Sequence, residues 1–281
     1  MKTAQWIKSP KAYVLMAIVV YLSIASWATH SMSGIENGGI AAGAAVVVDV
    51  LFALVKKRKR MMPDGAAITG LIVAMILSLN TAWPIIASTA GLSIISKHLL
   101  VYKKRAIFNP AAFGLFLSIP IFHAEQSWWG AFGDLPGWYI PLLLIGGYAV
   151  TNRVNKYPQV FVFFMTTFAM LLAMAYVHKG DAFDALRPPF INATLFFGCF
   201  MLTDPPTSPA KIRDQVVFGI IAAITGTVIY ELYGGLMYLF IGLLAGNVIH
   251  LLMQRLTANR PKSSSNPSSK QKSKPISTLQ R

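Results

Sequence analysis

Asp49 stands inside an apolar run, Val46-Val47-Val48-Asp49-Val50. A carboxylate at membrane depth costs about 2.5–3.5 kcal/mol, so it must face a partner or water, or hold a proton. Two roles satisfy that demand: an ion or proton site, or a bond to a neighbouring helix. Asn109-Pro110 opens another apolar run. Proline removes a backbone donor and restricts the residue before it, which suits a broken helix lining a cavity. It suits equally the first turn of a helix, where proline is harmless. Asn247, after Gly246, fits an interhelical hydrogen bond. The strongest string is Thr203-Asp204-Pro205-Pro206-Thr207-Ser208-Pro209. Its Asp can order the turn, Thr and Ser hydroxyls add bonds, and the prolines stiffen it. A rigid polar turn at the end of an apolar segment suits docking or ligand binding better than mere connection.

Other chemistries are excluded. Cys199 is the single cysteine, so this chain alone builds no disulfide and no iron–sulfur cluster. Of the five histidines, His30, His123 and His178 fall in or beside loops, which leaves only His98 and His250 as a pair for haem. No haem is expected. No two His or Cys share helical spacing on one face, so no metal is expected either. Neither a glycine-rich phosphate loop nor a nucleophile motif occurs, and no residue is assigned a catalytic role. Asn192-Ala193-Thr194 matches a glycosylation acceptor but lies in an apolar segment, where it has no meaning.

The elements that position these residues are apolar helices. The 281 residues are 55% hydrophobic and 12% charged, against roughly 45–50% and about 25% in soluble domains. A bilayer core needs about 20 apolar residues per helix. Ten candidate spans follow, at about Tyr13–Thr29, Gly38–Val55, Gly65–Leu79, Trp83–Ser96, Ile107–Phe122, Trp138–Val150, Pro158–Val177, Pro189–Leu202, Val216–Leu232 and Leu236–Met253. With the N-terminus inside and the spans alternating, all of the 25 basic residues except Lys179 and Arg187 fall on the inner side. That is the positive-inside pattern, and it places both termini in the cytoplasm. The net charge of +15 is therefore a topology label, and no nucleic-acid partner is expected. Lys2, Lys8 and Lys11, an apolar run and small residues near Ala25–Ala28 also fit a cleaved leader, which would leave the later topology unchanged. The expected organisation is a cytoplasmic segment 1–12, a membrane domain 13–254 and a tail 255–281. The tail, rich in Ser, Asn, Pro and Lys, reads as disordered, its lysines near anionic inner-leaflet lipids.

Ten spans divide into two sets of five, about 13–122 and 138–254. An odd number per set inverts the second relative to the first, as in many transport folds. Leu79-Asn80-Thr81-Ala82-Trp83-Pro84 after the third span and Leu202-Thr203-Asp204-Pro205-Pro206 after the eighth echo each other on opposite faces. The expected fold is thus an all-α integral membrane protein of about ten helices in two inverted five-helix repeats.

Phe196-Phe197-Gly198-Cys199-Phe200-Met201-Leu202-Thr203-Asp204-Pro205-Pro206-Thr207-Ser208-Pro209 resembles the phenylalanine-rich helix and Thr-Asp-Pro-x-Thr-Ser-Pro turn of the RnfD/NqrB family. These proteins are membrane subunits of the Rnf and sodium-pumping NADH:quinone oxidoreductase complexes. Pro63-Asp64-Gly65-Ala66-Ala67-Ile68-Thr69-Gly70-Leu71 is similar to the family's Asp-Gly-x-x-x-x-Thr-Gly-Leu, and Ile107-Phe108-Asn109-Pro110-Ala111-Ala112-Phe113-Gly114 to its Phe-Asn-Pro-Ala element. The resemblance covers about Val46 to Leu252. It implies ten helices in two inverted repeats, cytoplasmic termini, and electron passage through the membrane via flavin within a complex.

Longer relatives attach FMN to a threonine in a Ser-[Gly/Gln]-Ala-Thr type motif after the fifth helix. Here that interval, about His123–Gly137, contains no threonine. No covalent FMN is expected; non-covalent riboflavin or FMN is. Trp128 and Trp129 could stack on an external flavin, though interfacial tryptophans usually serve as anchors. The resemblance makes Asp64, Gly65, Thr69, Thr203, Asp204, Pro205, Thr207 and Ser208 an inner mouth, with Asn109 and Pro110 lining a central cavity. The implied partners are other membrane redox subunits and an extracytosolic FMN-carrying protein, in a bacterial cytoplasmic membrane. The competing functions are a solute or ion channel or transporter on the same scaffold, with Asp49 as its ion or proton site, and an assembly subunit without cofactor.

Overall fold

The computed structural model describes residues 6, 9–57, 62–133, 135–177 and 182–258. Most of segment 1–12 and of tail 255–281, with their expected cytoplasmic and disordered character, lies outside the described residues. Ten α-helices occur among the described residues: α1 (Pro10–Ala28), α2 (Ser33–Val55), α3 (Asp64–Ile76), α4 (Trp83–Leu99), α5 (Pro110–Phe122), α6 (Ile140–Val154), α7 (Tyr157–Tyr176), α8 (Phe190–Phe196), α9 (Ile212–Tyr233) and α10 (Tyr238–Ala258). A π-helical turn, Phe197–Met201, prolongs α8. Between α4 and α5, β1 (Val101–Tyr102) pairs antiparallel with β2 (Arg105–Ala106).

Local chemistry sets the helix starts. Ser9 caps α1 by accepting from the Ala12 amide, with Pro10 in the first turn. Asn109 caps α5 in the same way, with Pro110 as its first residue. Prolines also occupy the first turns of α4, α6 and α7, where their missing N–H costs nothing. Outward-facing side chains such as Val47, Leu51, Ile145, Phe161, Met165 and Leu172 are exposed. A surface as apolar as the core suits lipid, not water.

α1, α2, α7, α9 and α10 are long and apolar enough to cross a membrane. α3 and α5 have 13 residues each, about 20 Å of helix against a hydrocarbon core of about 30 Å. α3 and α8 are also the most enclosed: Leu71–Leu77 and Asn192–Thr203 are buried without interruption. Several helix contacts recur in the two halves, although the extensive contact of α2 with α3 has no counterpart between α7 and α8. α2 lies on α4 and α4 on α5; α7 lies on α9 and α9 on α10; α1 meets α3 as α6 meets α8. α1 also touches α6, and α5 touches α10. Basic side chains gather where several helices end. Arg153 at the end of α6 covers the Tyr13 ring of α1, and Arg255 near the end of α10 covers Tyr102 beyond α4.

Within the interval His123–Gly137, residues 128–133 are buried. Trp128 and Trp129 are 0% and 1% exposed, so they are neither interface anchors nor a platform for an external flavin. The chain folds back against the end of α3. Amides of Ser127 and Trp128 both donate to the Ile76 carbonyl, at 3.0 and 3.1 Å, and the Trp129 indole donates to Ala74 at 2.9 Å. Phe132 accepts from the Asn192 amide at 2.6 Å. The physical reason is that the last carbonyls of a short helix lack partners, and lipid supplies none. Trp128 and Phe132 take left-handed backbone angles, φ 53° and 61°, to make this turn. Trp128 stacks on Phe240 at 5.5 Å, and Phe132 packs edge-on to Tyr21 at 5.4 Å.

Candidate functional site

The polar residues converge where α3 begins and the π-helical turn ends. Asp204 organises the turn after α8. Its carboxylate accepts from the Thr207 hydroxyl at 2.9 Å, and its carbonyl accepts from the Ser208 hydroxyl at 2.8 Å. Thr203 donates back to Cys199 at 2.6 Å. Pro205 and Pro206 are exposed at the tip, while Thr207 and Ser208 are buried.

Asparagines tie this turn to two other helices. Asn247 of α10 donates to the Thr207 carbonyl and accepts from the Asn109 amide, each at 3.0 Å. Asn109 in turn donates to the Met201 carbonyl at 3.0 Å. Gln159 of α7 donates to Leu202 at 2.7 Å. Lys156 is buried and donates to the Pro209 carbonyl. A proline-rich bend leaves carbonyls unpaired, and those of Met201, Leu202, Thr207 and Pro209 are met here by side-chain donors.

A second cluster faces the same region. Asp64 accepts from Lys11 at 2.9 Å, from the Trp6 indole at 3.4 Å and from the Gly65 amide at 2.8 Å. Thr69 returns its hydroxyl to Gly65 at 2.9 Å. Asp49 of α2 takes Lys97 at 3.3 Å and His98 Nε2 at 2.8 Å, both from α4. His98 stacks on Phe52, and its carbonyl accepts from Lys56. A side chain at Gly65 would approach the ammonium groups of both Lys11 and Lys97, at 3.6 and 3.7 Å. Lys97, Lys11 and Lys156 also act electrostatically on Asp204, opposing the burial that raises its pKa. Burial pushes Lys156 down to about 8, against the pull of Asp204.

Asp64 and Asp204 therefore share the neighbourhood of Lys11, which pairs with the first and acts on the second, while Asn109 and Pro110 are buried. Asn109 and Pro110 line neither the groove between α6, α7 and the π-helical turn nor the cleft between α9 and α10. Asp49 belongs to the same charged face, held between α2 and α4. Sequence reasoning missed Lys156 and Gln159, whose only signal is their closeness to the start of α7.

The residues fit a flavin in part. Lys11 and Lys97 stand beside Gly65 but are paired with Asp64 and Asp49, so an anionic edge or phosphate would share them with those carboxylates. The Thr203, Thr207 and Ser208 hydroxyls are already spent within the turn, and neither the groove nor the cleft opens here to take a flat ring. No cluster of three metal-ligating side chains exists among the described residues. Residues 123–262 match the model of the NQR2, RnfD, RnfE family. No curated protein matches the chain.

Proposed function

Since the chain belongs to the NQR2, RnfD, RnfE family, multi-pass membrane subunits of redox complexes, we propose that it helps electrons cross a bacterial cytoplasmic membrane. In this reading the chain works with other membrane redox subunits and passes electrons from a cytosolic donor to an extracytosolic FMN-carrying protein. Riboflavin or FMN is held non-covalently, with the phosphate of FMN near Lys11 and Lys97 and the ring completed by a neighbouring subunit. The protein's part is to bind, orient and shield that group.

One observation carries the choice of electrons over solutes. The centre is filled by Trp128, Trp129, Phe132, Phe196, Phe197 and Phe240, all less than 2% exposed. A channel needs a wet path, and this packing favours a redox scaffold over the transporter reading. The helix contacts that recur in both halves, α2–α4 with α7–α9, α4–α5 with α9–α10 and α1–α3 with α6–α8, support two inverted five-helix repeats. So does the shared neighbourhood of Lys11 and Lys97, which meets the start of α3 at Asp64 and the exit of α8 at Asp204. Basic residues gathered at that face support cytoplasmic termini.

The test is the visible spectrum of the protein purified in mild detergent with its complex. Acid should release stoichiometric flavin, and denaturing gels should show no flavin fluorescence on this chain. A colourless complex whose vesicles pass a solute would overturn the proposal.

A further inference from the structure

α6 and α7 touch only sparsely, and a groove of about 500 Å³ lies between them and the π-helical turn. That volume is typical of small-molecule sites. Leu144, Tyr148 and Thr151 line it from one stripe of α6, and Tyr157, Phe161 and Phe164 from one stripe of α7. Cys199 sits in the floor against Gly147, where an added Cβ would lie 2.7 Å from the sulfur. Such π-helical turns recur at functional sites.

The lining fixes the occupant's chemistry. None of the side chains lining the groove carries a formal charge at neutral pH. Thr151 is 2% exposed, and among the described residues its hydroxyl meets no oxygen or nitrogen partner, only the Cys199 thiol. Thr29, Thr69 and Thr203 each return theirs to the carbonyl four residues back. The Cys199 thiol beside Thr151 is a weak partner. Thr89, Thr167 and Thr227 are also unpaired, but of these threonines Thr151 is the one that lines the groove. A buried hydroxyl left unmet costs about 1–3 kcal/mol, so an acceptor from outside is worth having.

The groove is also graded along its length. Thr151 and Tyr157 flank the short α6–α7 turn, where a membrane face lies. Leu144 and Phe164 sit seven residues along each helix, about 10 Å deeper. Tyr148 and Phe161 are 64% and 65% exposed at the rim, so the opening is lateral. We propose that the groove holds one acyl chain of a phospholipid from that leaflet, with its ester carbonyl accepting from Thr151. The proposal rests on the membrane placement alone and is independent of flavin.

The native single cysteine is the reporter. The delipidated full chain in detergent is alkylated with N-phenylmaleimide while phosphatidylcholine, or its ether-linked analogue without ester carbonyls, is added back. Ester lipid should protect Cys199 at about fivefold lower concentration than ether lipid, the worth of one hydrogen bond. Thr151→Val should erase that difference. In parallel, phosphatidylcholine with an acyl-chain diazirine should label residues 144–151 and 157–164 more heavily than the equally exposed Val47–Leu51 face, and Leu144→Trp should cancel the excess. Equal protection by the two lipids, or labelling spread evenly over all apolar faces, overturns the proposal. So does cross-linking of Phe161 to a partner's helix in the intact complex. The ester–ether comparison needs no variant and stands if Leu144→Trp fails to fold. None of these outcomes bears on whether the complex carries flavin.

Discussion

Asn247 is the joint of the polar network, since its two amide atoms serve two different helices. Asn247→Leu leaves the Asn109 amide and the Thr207 carbonyl buried and unpaired. The expected loss is about 1–3 kcal/mol for each, read as a lowered thermal midpoint in detergent. Lys156 gives a pH signature. Its pKa falls in the folded protein to about 8. From about pH 8 up to the ordinary lysine value, near 10.4, the unfolded chain binds the extra proton. Stability should therefore rise with pH across that window, as followed by thermal melting, and Lys156→Met should flatten the slope. Asn109 was legible as a helix cap because proline follows it. Lys156 was not: counting charge gave it a side of the membrane, while its burial depends on a carbonyl at Pro209 that only the folded turn presents.

At the scale of elements, close helix approach depends on a few glycines. A Cβ on Gly70 of α3 would collide with the Ala41 carbonyl of α2, and one on Gly242 of α10 with the Ala222 carbonyl of α9. Backbone cannot step aside as a side chain can, and small residues are what let membrane helices meet. Gly70→Ala and Gly242→Ala should each abolish the monodisperse peak in size-exclusion chromatography. Gly39→Ala, with nothing within 4 Å, should elute unchanged. Hydropathy and alternating charge made the number and order of the helices readable. They also marked α3 and α8 as short, about Gly65–Leu79 and Pro189–Leu202 against Asp64–Ile76 and Phe190–Met201 in the structure, but did not reveal the π-helical turn that ends α8. Nor did they reveal the buried turn at Trp128, since tryptophan between two spans has the same composition whether it faces headgroups or core.

At the scale of the whole molecule, orientation is the open test of the electron-transfer reading. In a Cys199→Ser background, Asn80→Cys in the α3–α4 connection should react with an impermeant maleimide in intact cells. Lys104→Cys and Ala210→Cys should react only after permeabilisation. The reverse pattern would turn the molecule over and take the proposed donor side with it. The turn that folds back onto α3 also sets where this scaffold can grow. Residues 126–132 supply the hydrogen bonds that finish the helix, so an insertion there opens a gap in the middle of the protein. Pro136 and Gly137 are exposed and carry no such duty. An added segment, natural or engineered, has its tolerated point of attachment there, a few residues beyond the last one that finishes α3.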